Sequence, residues 1–306
     1  MAMLPQLRML VLLYIYGMKQ FLVLICFSLA CCTANKPNNQ LLKDVEYLSS
    51  YALQGRKTGT PENRIAARFI AERFKQLGLQ SYTSDYLQPF SLGRRDSAVS
   101  AANVIAYLPG RRTEAIVISA HFDHLGVVGD KIFNGADDNA SGTAALLHLA
   151  AYFAKRKPNY TLVFAAFDAE EMMLRGSAAF VEKPPLPLEN IRLNINMDMV
   201  SHNDKGELYV AGTSHYPALK TFLPKTYRSA RLLKGHDDPK AGRDDWTTQS
   251  DHFSFHRKNI PFLYFGVEDH KDYHRESDEF RNINQKFFID AVELIKRTVV
   301  NIDKNM

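Results

Sequence analysis

Cysteine is nearly absent from this chain of 306 residues: there are three, Cys26, Cys31 and Cys32, and all lie close to the N-terminus. From residue 33 onward no internal disulfide can form, so stability must come from the packed core. The net charge is only +5, and the lysines and arginines are dispersed without an interleaved aromatic stripe. This pattern predicts no nucleic-acid partner. Internal repeats and low-complexity runs are missing too, so nothing indicates a repeat architecture.

Residues 1–32 have the composition of a targeting segment. They contain only two charged side chains, and an apolar run over 21–30 ends at Cys31 and Cys32. A basic residue, a short apolar run and a small-residue exit are typical of a secretory signal. The Leu-Ala-Cys exit resembles a bacterial lipobox, which predicts export and a lipid anchor in the cell envelope. A cleaved signal without lipid and an uncleaved N-terminal anchor stay open as alternatives.

Strand-like and helix-like segments alternate along the rest of the chain. The runs over 115–120 and 161–167 are almost continuously apolar, which is typical of strands buried on both faces of a sheet. A further strand is predicted over 82–92 and a terminal helix over 284–301. We therefore expect an α/β fold: a three-layer sandwich with a central mixed, mostly parallel sheet flanked by helices, in a single domain over 33–306.

Acidic and imidazole side chains follow several of these strands. His121 ends one apolar run, Glu170 and Glu171 follow the next, and Asp198 follows a third. In open α/β sheets, sites form beyond the carboxyl ends of strands, so these residues can converge. Mixed imidazole and carboxylate ligands suit catalytic zinc, and a pair of ions about 3.5–4 Å apart needs one shared carboxylate. Three further candidates complete the set: Asp137, Asp138 and His274.

Taken together, the motifs resemble the M28 family of zinc peptidases, which are cocatalytic aminopeptidase-like hydrolases. The resemblance spans residues 40–303 and implies an exopeptidase that removes N-terminal residues from peptides through a hydroxide held between two zinc ions. It rests on six motifs in family order: His121-Phe-Asp123, Gly135-Ala-Asp137-Asp138-Asn-Ala-Ser-Gly142, Glu170-Glu171, Asn196-Met-Asp198, Ser250-Asp251-His252 and Tyr273-His274.

The resemblance also implies a ligand for each position of the metal centre. Asp137 is expected to bridge the two ions. His121 and Asp198 are expected to bind one ion, and Glu171 and His274 the other.

Supporting roles are implied in the same way. Glu170 is expected to be the general acid and base, and Asp123 to orient the histidine that ligates the first ion. A cis peptide link is expected between the two aspartates, Asp137 and Asp138. Asp251 and His252 are expected to support a ligand or contact the substrate.

Two other functions stay open. A glutaminyl-cyclase-like aminoacyltransferase would use a single zinc on the same fold, but retention of both His121 and Asp198 favours two ions. A surface-anchored binding protein on an inactive scaffold is disfavoured because neither Glu170 nor any expected ligand is lost. Among the remaining histidines, His124 and His202 are interpreted as surface or loop residues.

Overall fold

A nine-stranded mixed sheet organises the computed structural model, which describes residues 37–93 and 98–306. Residues 40–306 pack as one compact unit. The predicted leader lies outside the described residues. The strands are β1 (Leu87–Leu92), β2 (Val99–Leu108), β3 (Ala115–His121), β4 (Gly126–Val128), β5 (Lys131–Phe133), β6 (Thr161–Phe167), β7 (Ile191–Met197), β8 (Glu207–Ala211), β9 (Thr226–Tyr227), β10 (Ala230–Lys234) and β11 (Phe262–Gly266).

The strand order is β1-β2-β6-β3-β7-β11-β8-β10-β9, and β4 and β5 form a separate hairpin. The four central strands β6, β3, β7 and β11 run parallel to one another. Antiparallel pairs lie on both sides of this centre, where β2 meets β6 and β8 meets β11. The carboxyl ends of the four central strands therefore share one edge of the sheet.

Helices cover both faces of the sheet. Alternate residues of each strand point to opposite sides. On one face Ile116 packs in a core with Leu146, and on the other Val117 packs with Phe180. This arrangement confirms the predicted three-layer α/β sandwich. The helices are α1 (Pro37–Leu48), α2 (Pro61–Gln76), α3 (Gly142–Phe153), α4 (Arg175–Glu182), α5 (His252–His256) and α6 (Gln285–Asn305), with a π-helical turn at Ala136–Ser141 and short 3-10 turns at Tyr51–Arg56, Leu188–Asn190, Pro217–Phe222, Pro239–Asp244 and Phe280–Asn282.

Predicted and observed elements differ mainly at the ends of the sheet. The strand at Thr161–Phe167 has its predicted bounds, and the terminal helix continues to Asn305. The strand predicted over 82–92 begins only at Leu87, because polar side chains bond the preceding backbone into turns. In the part of the chain that the structure describes, no helix is both long and apolar enough to cross a membrane.

A fully buried arginine, Arg56, joins segments that are distant in sequence. Its Nε donates to the carbonyl oxygen of Phe122 at 2.8 Å, its Nη1 to that of Asn134 at 2.6 Å and its Nη2 to that of Gly135 at 3.0 Å. Burial lowers its pKa to about 10, so the side chain stays charged at neutral pH. Arg56 thus holds the segment that follows β3 against the segment that precedes the π-helical turn.

Replacement of Arg56 by methionine should lower the free energy of unfolding by at least about 3 kcal/mol, because hydrogen bonds from a charged donor contribute about 1.5–3 kcal/mol each. Urea unfolding in chelator buffer measures this loss without a contribution from bound metal. Arg56→Lys should lose less, since it keeps the charge without the planar fork. The exposed Arg68→Met is the matched control, with an expected change within about 0.5 kcal/mol. Equal losses for Arg56→Met and Arg68→Met would contradict the bracing role.

Candidate metal centre

Three predicted residues meet at the carboxyl edge of the central strands. His121 is the last residue of β3, Glu170 follows β6, and Asp198 follows β7. One ligand atom from each residue lies within 4.8 Å of the other two. His121 Nε2 is 3.1 Å from Asp198 Oδ1. The convergence expected from the strand ends is therefore present.

A second group lies beside the first. It consists of His124, Asp138 and Glu171, again with ligand atoms within 4.8 Å of one another. His124 Nδ1 is 2.8 Å from Glu171 Oε1. His274 approaches the same carboxylates, with its Nε2 3.2 Å from Asp138 Oδ2 and 3.7 Å from Glu171 Oε2.

The carboxylate between the two groups belongs to Asp138, which corrects the expectation that Asp137 holds this position. Asp138 Oδ1 is 3.4 Å from His121 Nε2, while its Oδ2 faces His274. The backbone of the π-helical turn is not helical at Asp138, where φ is −102° and ψ is 97°. The side chains of Asp137 and Asp138 therefore leave the turn in different directions. Of these two aspartates, Asp138 is the one that points between His121 and His274.

Asp137 is fully buried on the other side of this turn. Its Oδ1 accepts hydrogen bonds from the backbone N–H and the hydroxyl of Ser201, both at 2.7 Å. Its Oδ2 lies 2.9 Å from His270 Nε2. The expected cis link is also displaced by one residue, since the cis peptide bond joins Asp138 and Asn139.

Asp123 supports the centre mainly by accepting hydrogen bonds from the backbone of Glu170 and Glu171. Its Oδ1 accepts the N–H of Glu170 at 3.0 Å and its Oδ2 accepts that of Glu171 at 3.3 Å. His121 Nδ1 lies 3.2 Å from the Asp123 carbonyl oxygen and 3.6 Å from its carboxylate. Asp123 therefore fixes the backbone of Glu170 and Glu171. It also contacts the His121 imidazole, which it was expected to orient.

Asp251 and His252 lie behind the centre. Both are fully buried, and neither carboxylate oxygen of Asp251 has a hydrogen-bond partner among the described residues. His252 stacks on Tyr264 with ring centroids 4.5 Å apart, and its Nε2 lies 3.0 Å from the Trp246 carbonyl oxygen. His252 therefore belongs to the packing of the cavity wall and to neither ligand group.

Burial and neighbouring charge set the protonation of these side chains. Burial raises the pKa of Glu171 to about 7 and raises that of Glu170 well above its usual value. Burial opposes a charge on His121, but the Asp198 and Glu170 carboxylates outweigh it and raise the His121 pKa. Burial also lowers the pKa of His124 to about 4, so this ring is neutral at pH 7.

His124 and His202 lie in loops, as the sequence interpretation allowed, but neither is a surface residue. They are 1% and 8% exposed, and His124 lies directly against Glu171. In the sequence, only the closeness of His124 to His121 indicated that His124 lies near the site. Arg56 and Asp278 were also missed, and Asp278 accepts the backbone N–H groups of both aspartates of the turn.

A cavity of about 80 Å³ opens over the two groups. It shares lining residues with a cleft of about 630 Å³. Trp246, Gln249 and Asp269 line both. The cavity is also lined by Asp138, Glu170, Glu171, Asp198, Met199, Tyr264, Val267, Tyr273 and His274.

Similar curated proteins include two bacterial ones. The alkaline phosphatase isozyme conversion protein of Escherichia coli (strain K12) is 26% identical over 197 residues, covering 59% of this chain and 57% of that protein. Aminopeptidase YwaD of Bacillus subtilis (strain 168) is 27% identical over 201 residues, covering 62% and 41%. The chain therefore spans less than two thirds of the length of these relatives.

Similar solved structures share the fold. A zinc aminopeptidase from Bacillus subtilis, BSAP, has a TM-score of 0.66 at 18% identity, covering 86% of this chain and 94% of that chain. Glutaminyl cyclase from Porphyromonas gingivalis has a TM-score of 0.67 at 18% identity, covering 88% and 98%. At these identities the likeness establishes the architecture alone.

The family model for peptidase family M28 matches residues 103–299. This span is more than half of the chain, and it contains both ligand groups as well as His274. The chain belongs to peptidase family M28.

Proposed function

We propose that this protein is a zinc-dependent aminopeptidase that hydrolyses N-terminal residues from peptides. The observation that carries the proposal is the Asp138 carboxylate, whose two oxygens face His121 and His274 at 3.4 and 3.2 Å. His121 belongs to the first ligand group and His274 adjoins the second, and a carboxylate that faces both is what a hydrolytic metal pair requires.

The charge of the cavity fits two divalent cations. Among the described residues, neither lysine nor arginine lines it, while five carboxylates do. One ion would be held by His121, Asp198 and Asp138, and the other by Asp138, Glu171 and His274. Mixed imidazole and carboxylate ligation is typical of catalytic zinc.

When bound, the ions supply a Lewis acid for the scissile carbonyl and make a water molecule nucleophilic near neutral pH. Glu170 would accept a proton from the attacking water and deliver it to the leaving amine. Burial favours the protonated carboxyl, so Glu170 can hold the proton between these steps. The hydrogen bond from its backbone N–H to Asp123 fixes its position.

The shape of the site favours the end of a peptide over its middle. The cavity above the carboxylates is small, with Met199, Trp246 and Tyr264 in its wall, and it suits one terminal residue. The larger cleft continues from it past Trp246, so the remainder of the peptide can extend along that cleft.

Glu170→Gln should lower kcat about 10²–10⁴-fold, because the variant keeps its shape but loses the proton carrier. We would measure hydrolysis of an aminoacyl-p-nitroanilide panel by zinc-reconstituted protein, with N-acetylated substrates to test the need for a free amine. Zinc content, determined by mass spectrometry, should stay at the wild-type value.

The exposed Glu182→Gln is the matched control and should retain full activity. A Glu170→Gln enzyme that keeps most of its activity would remove this residue from the mechanism. Equal hydrolysis of N-acetylated and free substrates would reject the aminopeptidase assignment while leaving a metallopeptidase possible.

Asp138→Ala should cost the protein two zinc ions relative to the wild type, because both groups depend on this carboxylate. His121→Ala should cost one ion. Zinc is counted by mass spectrometry after dialysis, and His215→Ala, whose ring contacts Thr247, serves as the control.

A single-zinc, glutaminyl-cyclase-like site would give a different result. It would be held by Asp138, Glu171 and His274, so His121→Ala would leave the zinc content unchanged. Cyclisation of N-terminal glutamine peptides with release of ammonia would then replace hydrolysis of the nitroanilides. No metal binding at all would favour a binding protein.

We further propose that the protein is exported and attached to a membrane by a lipid on Cys31 or Cys32, as the Leu-Ala-Cys exit indicates. Replacing both cysteines by serine should move the protein from the membrane to the soluble fraction of cell lysates. Cys26→Ser is the control and should leave the distribution unchanged. Full membrane retention of the double variant would rule out the lipid and favour an uncleaved N-terminal anchor.

A further inference from the structure

A third group of metal-ligating side chains lies beside Asp137, outside both groups described above. His202 follows β7, and His270 and Asp272 lie in the loop after β11. One ligand atom from each lies within 4.8 Å of the other two. The two imidazole rings are stacked, with centroids 3.8 Å apart.

Two atoms of this group are buried without a partner. His202 is 8% exposed and Asp272 is 5% exposed. Neither His202 Nδ1 nor Asp272 Oδ2 has a hydrogen-bond partner in the described part of the chain. They face each other at 3.7 Å, which is too long for a hydrogen bond. Unpaired buried polar atoms destabilise the folded protein, and a cation bound by both would offset that cost.

His270 is arranged like a metal ligand with an outer carboxylate. Its Nε2 lies 2.9 Å from Asp137 Oδ2, so Nε2–H donates to that carboxylate. Its Nδ1 keeps a lone pair, which accepts only a long contact of 3.3 Å from the Asp272 N–H. Histidines that bind metals commonly donate their second ring N–H to a carboxylate in this way. Two hydrogen bonds from Ser201 hold Asp137 in place.

We propose that His202, His270 and Asp272 bind a further divalent transition-metal ion, with Asp137 as the outer carboxylate. Two imidazoles and one carboxylate, with water completing the coordination, suit zinc. The ion would tie the loop that carries His274 to the turn that carries Asp138. The site does not rest on the proposed peptidase activity, since it shares no ligand with either group at the catalytic cavity.

The test separates this ion from the other two by removing their ligands first. The background variant carries His121→Ala, Asp138→Ala and Glu171→Ala, and circular dichroism verifies its fold. After dialysis against zinc, mass spectrometry should find one ion per chain in this background. Adding His202→Ala should remove it, while adding His215→Ala should not. Reconstitution with Co²⁺ gives an independent readout, because the visible absorption of the bound ion should vanish with His202.

Asp137→Asn supplies a graded result that packing alone would not produce. Loss of an outer carboxylate typically weakens metal affinity about 10–100-fold, so the background variant with Asp137→Asn should bind zinc weakly rather than lose it. A folded background variant that binds no zinc overturns the proposal. So does equal zinc content with and without His202→Ala. If His202→Ala fails to fold, Asp272→Asn in the same background decides between these outcomes.

Discussion

Burial of negative charge is the constraint on which the rest of this structure depends. Asp138, Glu170, Glu171 and Asp198 share one cavity, and neither lysine nor arginine lines it in the described ranges. Desolvation raises the Glu171 pKa to about 7, because a carboxylate removed from water favours its neutral form. Such a set persists as charged ligands only when cations lie among its members. The electrostatics of the cavity, like the family of the protein, therefore favour a metal centre.

Hydrogen bonds to the backbone fix the positions of several of these acids. Asp278 accepts the N–H groups of Asp137 and Asp138 at 2.8 and 3.0 Å. Asp123 does the same for Glu170 and Glu171. The side chains of Asp138, Glu170 and Glu171 thus leave backbone segments that are already fixed by another carboxylate. The cost of burying these supporting acids is offset by the hydrogen bonds that they accept.

Parallel pairing at the centre of the sheet explains why the ligands can come from distant parts of the chain. His121, Glu170 and Asp198 follow three adjacent parallel strands, so their side chains meet at one edge. The loop after β11, the next parallel strand, adds His274 and also His270 and Asp272. The cavity over the first two ligand groups and the proposed additional metal site are consequently neighbours, separated by the turn that carries Asp137 and Asp138.

The sequence by itself determined the class of fold and the types of ligand. Continuous apolar runs specify strands buried on both faces, since only such strands need an apolar residue at every position along the strand. Polar residues at the ends of those runs then had to lie at the sheet edge. The bounds of β6, Thr161–Phe167, follow directly from this pattern. Edge elements such as the hairpin of β9 and β10 carry no comparable signal, because short, half-exposed strands lack a continuous apolar run.

Tertiary structure alone decided which of two adjacent aspartates enters the cavity and that His124 and His202 are buried. Periodicity predicts the facing of a side chain only within a regular helix or strand, and the backbone at Asp138 departs from the helical angles of its turn without belonging to a strand. The Asp138 backbone N–H is held by Asp278 and the Asp137 carboxylate by Ser201, and both partners come from remote segments. Arg56 likewise reaches carbonyl groups that lie far along the chain. Contacts of this kind exist only after the chain has folded, so local pattern cannot encode them.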